Sequence, residues 1–591
     1  MLSLAHWSLP LGAIRKELAP LPGRYVTLWR YLIACAIVIV ASLALQVPFL
    51  ALSLVSIFST TQQNTYLTRL SGLVCTIGLT LAVACTLLLL RLTFDVALLR
   101  ILAAMFILLC AMYFLRKSKL GVIGFLVGIV VVYIQSEVDV IPNPEALTRA
   151  VLWVWIAIAY PIAVNLLVGQ LLPASADAHL ATELRAQLDC VADSLQGAAP
   201  HAPENAAIED AFLRMRRHLG FALAEHPAHA KRNLQCKARV RVVERLLVAS
   251  RALPSADASS RDAASQLHVS SLLAAISNLQ ARLPTSDDGA FAMPVPAVDL
   301  SNAPAPLAAM HRAFAQLEQD EAARPVTTAP AAAATPSPVP GSHPGLDPAA
   351  LRFALKVVLA TQLGYLFYTA VNWPGIHTCM LTCIILALPS LGAVTHKGTM
   401  RLIGAALGSL AALCATVFII PHLDSITGLL LLSLMVIACG AWIAAGSPRS
   451  DYVGFQMVFC FALALFGTFG PSTDLTEIRD RAIGIVLGVL ISLLVYAGIW
   501  PEHEADKAPQ AEAELSKALE RLAETAPAGM AAFEQARADA WSLLERLRQL
   551  QGRLAFEPGA DRPLDKALDD ARRRLLDCDW LASTGADGTK P

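Results

Sequence analysis

The sequence predicts an all-α integral membrane protein: two parallel repeats of about six transmembrane helices each, with helical cytoplasmic domains. Three observations predict it. Apolar residues make up 56 % of the 591 and charged residues only 16 %, and the mean hydropathy is +0.55. Soluble domains hold about 45–50 % and about 25 %. The excess falls into twelve apolar runs, and short motifs in the first six recur in the last six.

A span needs about 20 predominantly apolar residues. Candidate spans run near 31–47, 48–60, 70–90, 96–115, 120–135 and 150–172, then near 351–371, 376–391, 402–420, 427–445, 455–470 and 482–500. Several are short, and Pro48 and Pro374 mark tight connections between the first two runs of each set. A cleaved signal peptide does not fit the first run, which leads straight into more membrane. The chain therefore divides into a cytoplasmic segment (1–30), a first repeat (31–173), a helical cytoplasmic domain (174–323), a Pro/Ala-rich linker (324–350), a second repeat (351–501) and a helical cytoplasmic C-terminal domain (502–591).

Arg69-Leu-Ser-Gly72 opens the third run and Arg401-Leu-Ile-Gly404 the ninth, 332 residues later. Arg149-Ala-Val and Arg481-Ala-Ile open the sixth and twelfth at the same offset, while Pro48 and Pro374 differ from it by six. An even number of spans per unit makes such repeats parallel, related by an axis along the membrane normal.

Basic residues in short loops set orientation. With the N-terminus in the cytoplasm, that side carries Arg69, Arg116, Lys117, Lys119, Lys397, Arg401 and Arg449. The other side is richer in acids: Asp95, Glu137, Asp139, Glu145, Asp424, Asp474, Glu477 and Asp480. Both termini and both polar regions then face the cytoplasm. In the first region Leu180, Leu184, Leu188, Val191 and Leu195 recur at helical spacing, and in the tail Phe533, Ala540, Leu544, Leu547 and Leu554 share a face. The prolines of 324–348 make that stretch a linker. Nine of the twelve cysteines lie in apolar runs and none on the outer side, so no disulfide framework is expected. Cys379 and Cys383 lack the further ligands of a metal site, so no metal is expected either.

Zero net charge excludes a nucleic-acid footprint. No phosphate loop, H-E-x-x-H, G-x-S-x-G or paired CxxC occurs, so neither an enzyme nor a bound cofactor is expected. Transport driven by an ion gradient needs none of these; it needs polar groups where lipid makes them costly. The candidates for substrate binding or proton coupling are Lys356 in the seventh span, His377 after Trp373-Pro374-Gly375, Arg401, and Asp480 beside Arg481 at the start of the twelfth. Each has a bland alternative: Lys356 snorkels to the interface, His377 is an interfacial histidine, and Asp480 and Arg481 form a structural ion pair. Gly404 and Gly408 form a G-x-x-x-G read as helix packing.

The segments Gly375-Ile-His-Thr-Cys-Met-Leu-Thr-Cys383, Arg401-Leu-Ile-Gly404, Glu477-Ile-Arg-Asp-Arg-Ala-Ile-Gly484 and Trp500-Pro-Glu502 resemble the fusaric acid resistance family. They look most like its branch of multidrug efflux subunits, related to the aromatic acid exporters; Val47-Pro-Phe-Leu-Ala-Leu-Ser-Leu54 fits the same branch. The resemblance covers both membrane halves and is weak across the polar regions. It implies a proton-driven inner-membrane pump of a Gram-negative bacterium. The implied substrates are aromatic acids or cationic and aromatic drugs, and the implied partners are a periplasmic membrane-fusion adaptor and an outer-membrane channel. It carries no agreed catalytic residues, so only His377, Arg401, Asp480 and Arg481 transfer, as candidates. Homo-oligomerisation stays open. Two other readings remain: an anion channel like the distantly similar plant malate channels, and a membrane scaffold or sensor working through its cytoplasmic helices.

Overall fold

Helix ends follow capping chemistry. Side chains of Asn64, Asn143, Ser175, Asp262, Asp347, Ser390, Ser425 and Asp474 each accept a hydrogen bond from the first turn that follows, satisfying amides a helix start leaves open. Pro144 and Pro348 occupy first helical positions, where their missing N–H costs nothing. The computed structural model describes residues 18, 23–138, 141, 143–173, 175–197, 203–253, 262–283, 300, 303–322, 347–447, 449–467, 474–525, 530–557 and 564–584. The linker expected at 324–350 lies outside them except for its last four residues, and Asp139 lies outside them too.

The helices are α1 (Arg24–Ala44), α2 (Leu50–Thr60), α3 (Thr65–Thr93), α4 (Ala97–Lys117), α5 (Gly121–Val138) and α6 (Pro144–Leu171). The polar helices α7 (Ala176–Gln196), α8 (Asn205–Glu225), α9 (Ala230–Arg251), α10 (Ala263–Arg282) and α11 (Ala305–Ala322) come next. Then come α12 (Pro348–Ala370), α13 (Thr378–Ile385, preceded by a 3-10 turn at Pro374–Ile376), α14 (Leu391–Cys414), α15 (Ile426–Ala444), α16 (Asp451–Leu465) and α17 (Leu475–Gly498). The tail forms α18 (Ala508–Thr525), α19 (Met530–Leu554) and α20 (Asp565–Thr584). The protein is an all-α integral membrane protein.

Among the described residues nine helices are long and apolar enough to cross a bilayer, not twelve. The second, eighth and eleventh apolar runs form the short helices α2, α13 and α16. At 1.5 Å per residue the 11 residues of α2 reach about 16 Å, half of a hydrocarbon core of about 30 Å.

The two sets of six helices pack in the same order. α3 and α4 pack on α5, and α2 and α3 on α6; likewise α14 and α15 pack on α16, and α13 and α14 on α17. Between the sets, α4 meets α12 and α5 meets α13, while α15 meets α1 and α16 meets α2. Both main cores mix the halves: Leu108, Met112 and Val131 join Val357, Cys379 and Ile384, and Leu54 and Ile57 join Ile437 and Phe461. Large apolar side chains such as Leu73, Leu81, Phe106, Met435 and Leu494 face outward, where lipid receives them.

Geometry corrects the register of the repeat around the second and third helices of each set. Gln46 and Asn372, 326 residues apart, both take left-handed backbone (φ 51° and 52°) in the turns before α2 and α13. The caps Asn64 and Ser390 are also 326 apart, which pairs Gly78 with Gly404. Gly78 faces α5 and Gly404 faces the matching α16. Arg69 lies five residues into α3 and Arg401 eleven into α14, so the 332-residue match of these arginines is not a structural equivalence.

The chain divides into two units: one holds residues 1–174, 338–504 and 553–559, and the other the remaining polar helices. In the second unit Leu180, Leu184, Leu188, Val191 and Leu195 are buried along α7, as their spacing predicts. This unit also takes in most of the tail, which the sequence reads as a separate domain. A buried ionic cluster joins them: Arg537 of α19 bonds Glu244 of α9 and Asp579 of α20 at 2.6 Å each, and Arg216 of α8 bonds Glu244 at 2.9 Å. Burial alone would raise the Glu244 carboxyl, but Arg216 and Arg537 hold it down at about 2.

Candidate functional site

Matching short helices in the two halves of a transporter fold point to its binding region. α13 positions most of the residues singled out by sequence, and α17 crowds it by means of glycine. A Cβ on Gly488 of α17 would lie 2.5 Å from Cys379 O and from Thr382 Cβ, and Gly484 abuts Thr378. On α14, a Cβ on Gly404 would lie 2.7 Å from Val453 O and from Gln456 Cβ, and one on Gly408 would lie 2.9 Å from Cys460 Cβ. The G-x-x-x-G is thus the contact face of α14 with α16.

Arg401, one turn before Gly404, is carried into that contact and is 2 % exposed. Its Nη1 donates to Tyr452 Oη (2.8 Å) and Gln456 Oε1 (2.7 Å), and its Nε to Thr382 Oγ1 (3.3 Å). No carboxylate among the described residues forms an ion pair with it. Gln456 Nε2 in turn donates to Cys460 Sγ at 2.9 Å, and Lys397 Nζ stands 5.3 Å from the Tyr452 ring centre. Tyr452, Gln456 and Cys460 recur every four residues, one stripe of α16. Both Arg401 and Arg481 lie within electrostatic reach of Cys460. The arrangement is a hydrogen-bonded strip with excess positive charge inside the membrane, suited to an anion or to a polarisable aromatic ring.

The Trp373–His377 turn meets the start of α17. Trp373 Nε1 donates to Asp480 Oδ2 at 2.9 Å, and Gly375 touches the same carboxylate, leaving no room for a Cβ. The ion pair expected between Asp480 and Arg481 is instead made with Arg479: Nη2 reaches Oδ1 at 2.8 Å, and the guanidinium lies 5.4 Å from the Trp373 ring centre. Arg479 and Arg481 lie about 100° to either side of Asp480 around the helix; Arg479 is the one that reaches the carboxylate, and Arg481 has a buried, unbonded Nε. His377 Nδ1 donates to Pro374 O at 2.9 Å, leaving Nε2 as the ring atom that can gain a proton. Arg481 and Glu137 of α5 are both within electrostatic reach of that imidazole.

Lys356 does not snorkel. It is 2 % exposed, and its Nζ pairs with Glu502 at 3.3 Å beside the Tyr496 ring. Glu502 also accepts from Leu391 N through its backbone carbonyl at 3.2 Å, so this pair ties α12 to the start of α14. Structure therefore gathers His377, Asp480 and Arg481 at one end of α13, places Arg401 near the other, and gives Lys356 an ion pair of its own. Sequence reading passed over Tyr452 and treated Glu137 and Lys397 only as loop charges. The four-residue spacing of Tyr452, Gln456 and Cys460 was the available signal.

The sequence profile described as the fusaric acid resistance protein family matches residues 138–575. The multidrug resistance protein MdtO of Escherichia coli O6:H1 is 33 % identical over 523 residues, covering 85 % of this chain and 74 % of its own. MdtO of Escherichia coli K12 is 33 % identical over 530 residues with the same coverage. MdtO of Shigella flexneri is 31 % identical over 597 residues, covering 96 % of this chain and 83 % of its own. No solved structure matches the chain.

Proposed function

Because the chain belongs to the fusaric acid resistance protein family, we propose that it is an inner-membrane secondary efflux transporter. It exports aromatic acids or aromatic drugs, uses the proton gradient, and works with a membrane-fusion adaptor and an outer-membrane channel, both termini being cytoplasmic. Multidrug resistance is what the names of its relatives state. The observation that carries the reading is Arg401: a guanidinium buried in the membrane unit, hydrogen-bonded by three neutral oxygens and ion-paired with no carboxylate among the described residues. A buried charge is costly unless compensated, and an anionic or π-rich substrate compensates it transiently. His377, Asp480 and Arg481 form the outer end of the same path, and Lys356 braces the cytoplasmic end.

The test is uptake into proteoliposomes of the purified full-length protein, with fusaric acid and the cationic dye ethidium as probes. Saturable, uncoupler-sensitive movement of either one against its gradient is expected, and Arg401→Gln should remove it while leaving folded yield within about twofold, as loss of a substrate contact does. Flux that is only downhill and insensitive to a proton gradient would replace the pump with the anion channel, to which Arg401 and Lys397 are equally suited. Absence of flux for both probes would leave the scaffold reading.

A further inference from the structure

We propose that His268 and His311 form an acid-opened latch between α10 and α11, through which the polar helices sense pH and set the rate of the transporter. What the latch regulates rests on the efflux reading; the latch itself stands on the packing of the polar helices.

The two imidazoles lie where an apolar core calls for leucine. On α10 the buried stripe is His268, Leu272, Ala275, Ile276 and Leu279, and on α11 it is Leu307, Met310, His311, Phe314 and Leu317. Both follow the three- and four-residue steps of a one-sided helix. His268 is 5 % exposed and His311 4 %, and their rings meet edge-on with centres 5.4 Å apart. Each ring keeps one nitrogen buried without a hydrogen bond, Nδ1 of His268 and Nε2 of His311. A buried polar atom without a partner costs stability that leucine would not. What imidazole offers in exchange is a change of charge near neutral pH.

No carboxylate is set to receive that charge. Asp262, the acid of α10 nearest His268, is exposed and caps its own helix through Ser265 N at 3.3 Å. Glu318 stands two turns beyond His311 on α11. Charges on the helices packed around the pair are engaged elsewhere. On α9, Arg241 pairs with Asp320 at 3.1 Å and Arg251 with Asp577 of α20 at 2.9 Å. On α7, Glu183 takes Arg214 at 2.8 Å and Asp189 takes Gln280 Nε2 at 2.7 Å. On α20, Asp579 takes Arg537. Burial and then His268 hold the His311 imidazole below its ordinary value, and a hydrogen bond to the His268 backbone opposes them in part.

The sign follows. The closed pair is neutral, so its stability is whole above the ordinary histidine value of about 6.5 and is lost as pH falls below it. A proton from water then forms an N–H bond on an imidazole, and water solvates the cation only when the helices part. α10 is the helix that yields. α11 is tied to α9 by Arg241 and to α20 by Arg312, which donates to Thr584 O at 2.6 Å. α10 packs on α7 and α11, and toward α11 its contact is this apolar stripe and the two rings. A second pair, His179 of α7 and His218 of α8, has ring centres 6.0 Å apart but is partly exposed, which makes it the control.

Hydrogen exchange of the full-length protein in nanodiscs tests the latch. Between pH 7.5 and 5.5, after correction for intrinsic exchange, opening of α10 should increase at least about threefold. The double variant His268→Leu/His311→Leu should show no such rise, and His179→Leu should keep it. His311→Gln should retain less than half of the rise, and it decides the matter if the double variant does not fold. For regulation, fusaric acid counterflow is measured in proteoliposomes at equal pH on both sides. The ratio of wild type to double variant, per folded molecule, should be within twofold of one at pH 7.5 and depart from that value by at least another twofold at pH 6.0. A flat wild-type exchange profile, a rise that survives in the double variant or vanishes in His179→Leu, or a counterflow ratio independent of pH would each overturn the proposal. Failure of wild type to move fusaric acid at all would strike the efflux reading instead, and the exchange data would still decide the latch.

Discussion

Gly404→Ala adds one methyl group where α14 and α16 touch, and its cost can be worked from the contact. The new Cβ would lie 2.7 Å from Gln456 Cβ and from Val453 O, against 3.4–4 Å for ordinary contact. Neither partner is the far end of a flexible side chain, so the helices must separate by roughly 0.7 Å. Overpacking of this kind costs about 1–3 kcal/mol. The same shift stretches the bonds from Arg401 to Tyr452 and Gln456, now 2.8 and 2.7 Å, to roughly 3.5 Å, beyond the usual hydrogen-bond range. Gly404→Ala should therefore lower the melting temperature of the solubilised protein and also the efflux per folded molecule; Gly404→Leu should chiefly lower folded yield. Gly498→Ala is the control: nothing lies within 4 Å of its added Cβ, and a helical Gly→Ala change there is neutral or stabilising by up to about 1 kcal/mol. Thermal unfolding in nanodiscs, with normalised efflux in parallel, checks both. Wild-type stability and activity in Gly404→Ala would show that α14 and α16 do not meet across this face.

Three further outcomes are expected. Glu244 has its carboxyl held near 2, below its ordinary 4.5, so its contribution of about 3 kcal/mol is present above pH 4.5 and lost as pH falls toward 2. Hydrogen exchange of α9 and α19 in the full-length protein should accelerate over that window, and a flat profile would refute the coupling. Glu244→Gln should weaken this unit by about 3–5 kcal/mol at neutral pH, because Arg216 and Arg537 then share a buried site with one anion fewer; urea unfolding of the second unit with a wild-type midpoint would refute it. For orientation, an impermeant thiol reagent applied from outside should label Asp474→Cys and not Lys117→Cys, both positions being exposed; labelling in the opposite sense would invert the topology.

Fold class was legible in the sequence because lipid imposes long apolar runs, and these survive in composition alone. The polar helices were legible for a related reason: Leu180, Leu184 and Leu188 keep the period of a one-sided face. Span count was less so. Hydropathy reports that a segment is apolar but not whether it crosses, and α2, α13 and α16 are as apolar as their longer neighbours. The G-x-x-x-G was readable as packing, since its small residues sit four apart on one helix. The site was harder to read, because its members meet only in three dimensions. Arg479 and Arg481 are equivalent neighbours of Asp480 in sequence, and only helical rotation decides which one pairs with it. Lys356 finds Glu502, 146 residues away, which no local pattern announces.

The two halves share a joint but not its chemistry, and the difference lies at the residues of the proposed site. Gly78 and Gly404 occupy equivalent places, each receiving the helix two further along the chain. What Gly404 meets is Gln456; what Gly78 meets is a Leu126 methyl group, which would stand 2.8 Å from a Cβ added there. At the 326-residue offset, Arg401 corresponds to Cys75 and Thr382 to Ser56, so the first half repeats the packing without the cation. An apolar joint at this position is thus compatible with the fold, and the hydrogen-bonded one is an addition that close packing does not require. Gln456→Leu tests this directly, because it installs in the second half the kind of side chain that the first half already uses. Helix packing should survive, whereas Arg401 loses the acceptor at 2.7 Å and keeps Tyr452 and Thr382. A lost bond to a buried charged group costs about 1.5–3 kcal/mol, so folded yield should fall modestly and gradient-driven efflux per folded molecule should fall much further. Folded yield and normalised efflux falling in proportion would mean that the strip serves only to hold α14 and α16 together.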